Sequence, residues 1–385
     1  MRYYRLMLIV SLVLSYQNAV AQIHFKKDTS DLTFTGTRIN PYQVDYDSTG
    51  HFTFSAYLDT YGAYYTDTVG PGGFVKFPTS APRNGQFGLN ILQFSTKYES
   101  RFFRGTATVF LGDIPESSWS PKYNLIQEAN LGFRIVKKVW LDAGYFRTHI
   151  GLESIQPREN MTIGISTTTY FEPYYMSGAK LTYSPSKVWS LQLNAFNGFN
   201  SYVENNANKA MGVSVSFTPG KKFTSTFSSL VCDESPDGFN RDQTRVYSNW
   251  IGVYKSNRWS VGYEFNYGLQ TNSDLNDSTK TAYMFSFILA TKYRFTSKWA
   301  SYARIEHFTD KNEMLTGPIV NENHKLVGLD LNGLTVGFEY KPIPNSYVRI
   351  EARLLQTASD EKIFQYKGNS RNQREEILFG IGLWF

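Results

Sequence analysis

Apolar and polar residues alternate along much of the chain with a period of two, the pattern of a β-strand that has one apolar face. One segment shows the alternation clearly. Its apolar positions are Trp259, Val261, Tyr263, Phe265, Tyr267 and Leu269, and polar or glycine residues separate them. The same pattern recurs throughout the chain, which therefore is predicted to be all-β.

Sixteen segments fit this pattern, with ends uncertain by about two to four residues. We predict strands at 51–65, 87–100, 103–113, 124–136, 138–149, 174–184, 188–199, 210–218, 222–232, 244–255, 258–270, 281–295, 298–309, 331–341, 346–358 and 373–385. Such a count suits a single barrel-like domain over 51–385, because all-β domains often exceed the usual domain length.

The connections between these segments alternate between short and long. Seven turns of three or four residues separate eight longer polar loops, at 66–86, 114–123, 150–173, 200–209, 233–243, 271–280, 310–330 and 359–372. Outer-membrane barrels have this asymmetry, with short turns on the periplasmic side and long loops outside. The sequence thus predicts a transmembrane antiparallel β-barrel of about sixteen strands.

The polar faces of the predicted strands carry many charges. In a membrane barrel the apolar faces contact lipid, and an Arg or Lys facing lipid at the midplane costs about 2–4 kcal/mol. We therefore expect ten charged residues to line a wet lumen, where they need no partners: Arg104, Glu128, Arg134, Glu264, Arg294, Arg304, Glu306, Arg349, Glu351 and Arg353. A soluble β-sandwich also explains the alternation, but it does not explain the loop asymmetry.

Aromatic residues follow several of the short turns, each close behind a basic residue. These aromatics are Trp140, Trp189, Phe223, Trp259 and Trp299. Amphipathic aromatic rings gather where a barrel meets the lipid headgroups. We expect them to form the girdle on the periplasmic side.

Both ends of the chain suggest export to the outer membrane. Residues 1–21 have the basic, apolar and Ala-x-Ala parts of a signal peptide, although a buried strand or helix is the alternative. Residues 22–50 would form a periplasmic extension, too short for the folded plug of a TonB-dependent transporter. The last strand resembles the signal read by the barrel-assembly machinery, with alternating apolar residues at Phe379, Ile381, Leu383 and Phe385.

Composition narrows the classes of function. Cys232 is the single cysteine, so neither an intrachain disulfide nor a cysteine-built metal site can form. A net charge of +6 is small and scattered along the chain, which argues against a nucleic-acid partner. The five histidines show no catalytic or metal-ligating spacing. We expect a protein without enzymatic activity, cofactor or metal.

Three stretches of the chain resemble the OmpL-like β-barrel porins of the porin-2 family. They are Ile126–Asn130 with Leu131–Phe133, Trp140–Phe146 with His149–Ser154, and Tyr175–Tyr183 with Asn197–Gly198. This resemblance implies a passive channel for small hydrophilic solutes or ions in the outer membrane of a Gram-negative bacterium. Outer-membrane lipid and lipopolysaccharide would be its surroundings.

Two alternatives remain open at this point: a surface adhesin or binding protein that acts through its loops, and a substrate-specific channel, for example for a saccharide. The solute and the pore radius cannot be derived from the sequence. Sixteen-stranded general porins usually form trimers, so we expect a homotrimer, although no particular strand face identifies the interface.

The loop at 150–173 is the candidate for a constriction. Pro157 and Pro173 stiffen it, and irregular backbone is tolerated at membrane depth only where it lines water or protein. We expect it to fold into the lumen, with Glu153, Arg158 and Glu159 at the narrowest point and both glutamates facing the channel. Acidic residues there, opposite a basic wall that includes Arg104, Arg134 and Arg304, would create a transverse field that orders polar solutes.

Overall fold

A computed structural model describes residues 50–77, 80–203, 208–235 and 242–385. The predicted signal peptide at 1–21 and all but the last residue of the predicted extension at 22–50 lie outside these residues.

Sixteen long strands form the wall of the barrel. They are β1 His51–Tyr65, β2 Gln86–Glu99, β3 Phe103–Leu111, β4 Ile126–Val136, β5 Val139–Arg147, β6 Tyr175–Tyr183, β7 Trp189–Phe196, β8 Ala210–Phe217, β9 Phe223–Asp233, β10 Thr244–Lys255, β11 Trp259–Gln270, β12 Ala282–Arg294, β13 Trp299–Asp310, β16 Leu329–Tyr340, β17 Ser346–Thr357 and β20 Gln373–Trp384. Every predicted strand is present, and its ends agree within three residues.

The long loops contain further elements that the alternation did not predict. Two small hairpins are formed by β14 Ile319–Val320 with β15 Leu326–Val327, and by β18 Phe364–Tyr366 with β19 Asn369–Arg371. Two short helices, α1 Asp113–Ser118 and α2 Thr167–Phe171, and two 3-10 turns, Pro71–Gly73 and Pro157–Glu159, complete the fold. No helix in the described ranges has the length and apolar content needed to span a bilayer.

Each wall strand pairs antiparallel with its neighbours in the chain, and β20 pairs with β1 to close the barrel. In this closing pair Tyr57 lies opposite Trp384 and Tyr65 lies opposite Glu376. The predicted sixteen-stranded antiparallel barrel is confirmed. We call its two rims the short-turn end and the long-loop end.

Alternation places apolar side chains outside and polar ones inside. Leu131 and Phe133 on β4 are 77% and 46% exposed, whereas the intervening Gly132 is buried. Trp189, Trp259 and Trp299 point outward at the short-turn end, as expected of a girdle, and are 45–52% exposed.

Trp140 is an exception to the predicted girdle. It lies directly opposite Arg134, and residues opposite each other in paired strands share a face. Both therefore point into the barrel, where the indole is 3% exposed and lies between the guanidinium groups of Arg104 and Arg134. The expectation that this residue contacts lipid headgroups is wrong.

The interior also differs from the wide, water-filled lumen that the strand count suggests. Sixteen strands enclose more volume than wall side chains alone can fill. Here the long loops fold inward and supply the missing volume, and buried apolar clusters form between loop and wall side chains. A polar cavity remains beside the inward-folded loop.

Two glycines shape the wall where the loop after β5 begins. Gly144 on β5 lies directly opposite Gly178 on β6, with φ angles of 130° and 154°. A Cβ atom would come within 2.3 Å of the Ala129 carbonyl oxygen at Gly144, and within 2.1 Å of the Ala195 carbonyl oxygen at Gly178. Both positions therefore require glycine, because any side chain would strike rigid backbone of the next strand.

We expect Gly144→Ala to lower the free energy of unfolding by about 1–3 kcal/mol, because it combines backbone strain with a steric clash. Urea unfolding of the barrel in detergent, followed by its heat-modifiable migration on gels, measures the change. Gly220→Ala on a short turn is the matched control, since a Cβ atom there meets nothing within 4 Å. Equal stability of the two variants would contradict the assignment.

Candidate functional site

The segment 148–174, which we call the inner loop, leaves β5 and folds into the barrel. Every residue from 150 to 169 except Arg158 is buried. The loop crosses the interior, and side chains of β11, β13 and β17 bind it. We call these strands, together with the neighbouring β12 and β16, the clamp wall. Its position is set by hydrogen bonds between wall side chains and the loop backbone.

Carboxylates of the clamp wall accept hydrogen bonds from backbone N–H groups of the inner loop. Glu264 accepts from Leu152 at 3.0 Å, Glu306 from Thr167 at 2.6 Å, and Glu351 from Ile163 and Gly164 at 2.6 and 3.0 Å. An irregular loop has backbone donors that no ladder satisfies, and a buried donor without a partner costs about 1–3 kcal/mol. These glutamates meet that requirement.

Arginines of the same wall bind the loop carbonyl groups. Arg304 donates to the Gly164 carbonyl at 2.7 Å and to the Glu153 carboxylate at 2.6 Å. Arg349 donates to the carbonyl oxygens of Pro157, Thr162 and Asn160 at 2.7–3.1 Å. Its guanidinium also pairs with Glu339 of β16 at 2.7 Å, and Arg353 pairs with Glu306 at 2.6 Å.

Six of the ten charges expected to line water are consequently buried under the inner loop: Glu264, Arg304, Glu306, Arg349, Glu351 and Arg353, each at most 8% exposed. They point into the barrel, as the alternation of residues along their strands predicts. The expectation that they need no partners is wrong, because the loop removes them from water, and a buried charge is tolerated only when it is paired and hydrogen-bonded.

The other four charges have different surroundings. Arg104 donates through Nε to Asp142 at 2.6 Å, across Gly132 of the intervening strand, where a Cβ atom would lie 2.0 Å from the Asp142 carboxylate. Arg134 stacks on Trp140, and Arg294 donates to the Ser256 carbonyl at the short-turn end. Glu128 lines the cavity.

The three candidate constriction residues on the inner loop lie in two different environments. Glu153 is 8% exposed, and it accepts from Arg304 and from the Ser166 N–H at 2.7 Å. It stabilises the loop from within, so the expectation that it faces the channel is wrong. Glu159 and Arg158 line the cavity instead.

Glu159 is paired with Arg147 at the end of β5, with one contact at 3.1 Å. Burial alone would raise the pKa of Glu159, but the Arg147 guanidinium overrides this effect and lowers it to about 2. The ordinary pKa of a glutamate is 4.5, so the pKa of Glu159 is lowered in the folded protein. The ion pair therefore stabilises the fold fully when the pH is above 4.5, and this stabilisation is lost as the pH falls through about 2.

A polar cavity of about 300 Å³ remains between the inner loop and β1–β10, toward the short-turn end. Its charged lining residues are Lys97, Arg104, Arg147, Arg158 and Lys180, with Glu99, Glu128, Asp142 and Glu159. The wall formed by β7–β9 contributes Ser190, Gln192, Ser214, Ser216 and Thr226, and no charge. The cavity can hold hydrated ions or small polar solutes.

Sequence reasoning missed several residues of this region, among them Trp140, Asp142, Arg147 and Lys180. The sequence held a signal for these residues, because a charge facing lipid is costly. Asp142 and Lys180 should therefore point inward, and so should Trp140, two residues before Asp142 on the same strand. Among the described residues no group of histidine, cysteine and acidic side chains could hold a metal ion.

A closed sixteen-stranded barrel with a loop folded into its lumen is the architecture of an outer-membrane channel. Solved structures share this fold. DcaP of Acinetobacter baumannii matches with a TM-score of 0.61 and 9% identity, over 87% of this chain and 97% of that chain. OmpT of Vibrio cholerae matches with a TM-score of 0.57 and 12% identity, over 89% and 99%. An anion-selective porin from Comamonas acidovorans matches with a TM-score of 0.56 and 8% identity, over 87% and 100%.

The family follows from the sequence. The model of the family described as "Putative beta-barrel porin-2, OmpL-like" matches residues 51–385, so the chain belongs to that family. No curated protein sequence matches the chain. The resemblance found in the sequence is thereby confirmed, and the protein is a porin of the Gram-negative outer membrane.

Deleting residues 154–168 should raise the single-channel conductance severalfold, because this segment crosses the barrel interior and is buried there except at Arg158. Planar-bilayer recording measures the change, and heat-modifiable migration shows whether the variant barrel is folded. A deletion of 276–279, at the mostly exposed tip of the loop after β11, is the control and should leave the conductance unchanged. A folded 154–168 deletion with wild-type conductance would contradict the constriction.

Proposed function

We propose that the protein is a passive, non-catalytic diffusion channel for small hydrophilic solutes, with a weak preference for anions. The cavity beside the inner loop is the observation that carries this proposal. It is polar, and the arginine and glutamate contacts of the clamp wall hold the loop at its edge in one position. Solute would move down its gradient, and the geometry and lining charges would set the selectivity.

The balance of lining charges supports the preference for anions. Five basic and four acidic side chains line the cavity. Asp142 and Glu159 pair with two of the lining arginines, Arg104 and Arg147, which leaves the basic Lys97, Arg158 and Lys180 and the acidic Glu99 and Glu128. The Lys180 ammonium lies 3.7 Å from the centre of the Phe146 ring, which holds it at the cavity surface. The Comamonas acidovorans protein of the same fold is named for anion selectivity.

The double variant Lys97→Gln, Lys180→Gln should shift the reversal potential in a salt gradient toward that of cations, because it removes two positive charges from the cavity. Bilayer recordings measure this shift. Lys221→Gln, Lys222→Gln removes the same charge from an exposed short turn and is the matched control. Arg304 is not a suitable selectivity target, since it is 1% exposed and holds the loop.

If the double variant and its control both kept the wild-type reversal potential, the anion preference would be rejected. If the wild-type protein gave no current at all, the channel itself would be rejected, and an adhesin acting through its loops would replace it. The hydroxyl-rich wall of β7–β9 favours one further alternative, a saccharide-specific channel. Current block by added saccharide would reveal such specificity.

We also propose that the protein is a homotrimer, with the wall formed by β3–β8 at the interface. Five of these six strands have only eight or nine residues, whereas the other wall strands have eleven to fifteen. A tilted strand of that length spans about 20 Å, which is less than the height of about 25 Å of the apolar band on the outside of an outer-membrane barrel. The outward residues Ala143, Ala179 and Ala195 lie side by side across β5–β7 and make this thin wall flat. A second copy would cover it better than lipid.

Analytical ultracentrifugation in detergent tests this assembly. The wild-type protein should sediment as a trimer, and Ala179→Phe should sediment as a protomer, because the ring prevents close approach of two flat walls. Ala303→Phe, on the outward face of the longer strand β13, adds the same ring away from the interface and should remain trimeric. A wild-type protomer would reject the proposal.

We also propose how the chain is exported and assembled into the outer membrane. Residues 1–21 would act as the signal peptide and 22–50 as a periplasmic extension, with the barrel at 51–385. The outward residues Phe379, Ile381 and Leu383 of β20, together with Phe385, are 38–63% exposed and would be available to the barrel-assembly machinery. Lipid and lipopolysaccharide would then surround the outer face.

A further inference from the structure

Large apolar side chains point inward at the long-loop end of the barrel, beside buried polar ones such as Asp310 and Arg374. Phe196, Leu230, Tyr247, Met284, Phe308 and Leu355 all lie within three residues of this end, and each is at most 2% exposed. A rim open to water would expose them. Something therefore covers them on the outer side of the inner loop.

Side chains from the long loops cover them. Phe77, Phe199, Met314 and Phe364 come from four different loops and pack into one cluster with the rim residues. Trp119 and Tyr202 pack in the same way over β1–β6. We call these covering segments, 66–77, 112–125, 197–203, 311–328 and 358–372, the outer cap.

The polar cavity ends against the apolar cluster at the long-loop end. Ser55, Lys97, Arg104 and Ser190 line it near the short turns, and Phe146, which belongs to the rim cluster, lines it at the end of β5. A hydrated ion that crossed the barrel would have to pass a layer of close-packed apolar side chains. Removing its water there is costly, so this layer is a barrier to conduction.

Arg374 at the start of β20 ties two loops of the cap to the wall. Its guanidinium pairs with Glu376 at 2.6 Å and donates to the Lys76 carbonyl at 2.8 Å. It also lies 5.4 Å from the centre of the Phe364 ring and 5.9 Å from that of Phe77. The group is 2% exposed, so the loops 66–77 and 358–372 are both organised around one buried cation.

The loop 311–328 is held by two further polar groups. The Asp310 carboxylate accepts the backbone N–H groups of Met314, Leu315 and Thr316 at 2.7–2.9 Å. Arg245 donates to the Met314 carbonyl at 3.1 Å. These contacts insert Met314 into the rim cluster, where its side chain lies over Gly268.

We propose that the outer cap is a closed gate of this channel, and that solute passes when the loops around Arg374 swing away from the rim. This inference rests on the proposed channel function. The cap, and not the inner loop, is the moving part, because the inner loop is bound by buried carboxylates and arginines along its whole length. Arg374 joins two of the cap loops to β20 and Asp310 joins a third to β13, so the loss of either group should favour opening.

The rate of chemical labelling of Cys232, the single cysteine of the chain, can show whether the outer cap is open. Cys232 points inward at the end of β9, belongs to the rim cluster and is 3% exposed. A membrane-impermeant maleimide should label it slowly in the wild-type protein reconstituted in liposomes. Arg374→Gln removes the buried charge that joins two cap loops, and it should accelerate the labelling by at least about tenfold and raise the open fraction in bilayer recordings.

Two further variants keep the test independent of folding defects. Phe364→Ser removes a buried cap side chain without changing a wall strand, and it should act in the same direction as Arg374→Gln. Arg258→Gln is the matched control, because this arginine is exposed on the short turn before β11, at the opposite end of the barrel. It should leave labelling and open fraction at wild-type values.

Labelling and current together decide the outcome. Faster labelling and more frequent opening in both cap variants, with the control unchanged, would support the gate. Steady wild-type current with Cys232 already accessible would reject the gate and leave the channel function intact. Cap variants that match the wild type in both measurements would also reject the gate. No current from any variant would reject the channel function, and the gate with it.

Discussion

Charged side chains buried inside a barrel must be compensated, and in this porin the inner loop compensates them. Arg304 and Arg349 bind loop carbonyl groups, while Glu306 and Glu351 bind loop N–H groups. Each partner satisfies the other, since neither the wall charges nor the irregular backbone is stable alone in a water-free interior. Removing one member of such a buried pair typically costs about 3–5 kcal/mol, which explains why the loop has a defined position.

The inner loop lies against one side of the barrel, so the open space is displaced from the barrel axis. Because the clamp wall holds it, the open space lies on the other side, against strands β2–β9. That side includes the shortest wall strands, β7 and β8, which line the space with Ser190, Gln192, Ser214 and Ser216. The interior is therefore divided into three parts: a polar cavity toward the short turns, a hydrogen-bonded loop in the middle, and an apolar layer beneath the long loops.

The apolar layer shows how a barrel with a polar interior can still pack side chains. Wall residues such as Phe308 and Leu355 point inward, yet they contact no water because loop residues cover them. The outer loops thus do more than connect strands, since they also complete a core. In this respect the long-loop end resembles the interior of a soluble protein, while the outside of the same strands faces lipid.

Strand number, strand ends and the direction of each side chain could be predicted from the sequence, because alternation along a strand is a local property of extended backbone. The inward direction of Arg304 and Glu351 follows from it. Their surroundings do not: the partners of Arg304 include Glu153, 151 residues away, and Glu351 binds the N–H of Ile163, 188 residues away. Only the tertiary structure decides whether an inward charge meets water or a loop, because that depends on contacts between segments distant in the chain. The same reason explains Trp140, whose lipid-facing position was predicted from the preceding turn and whose actual face is set by its pairing with Arg134.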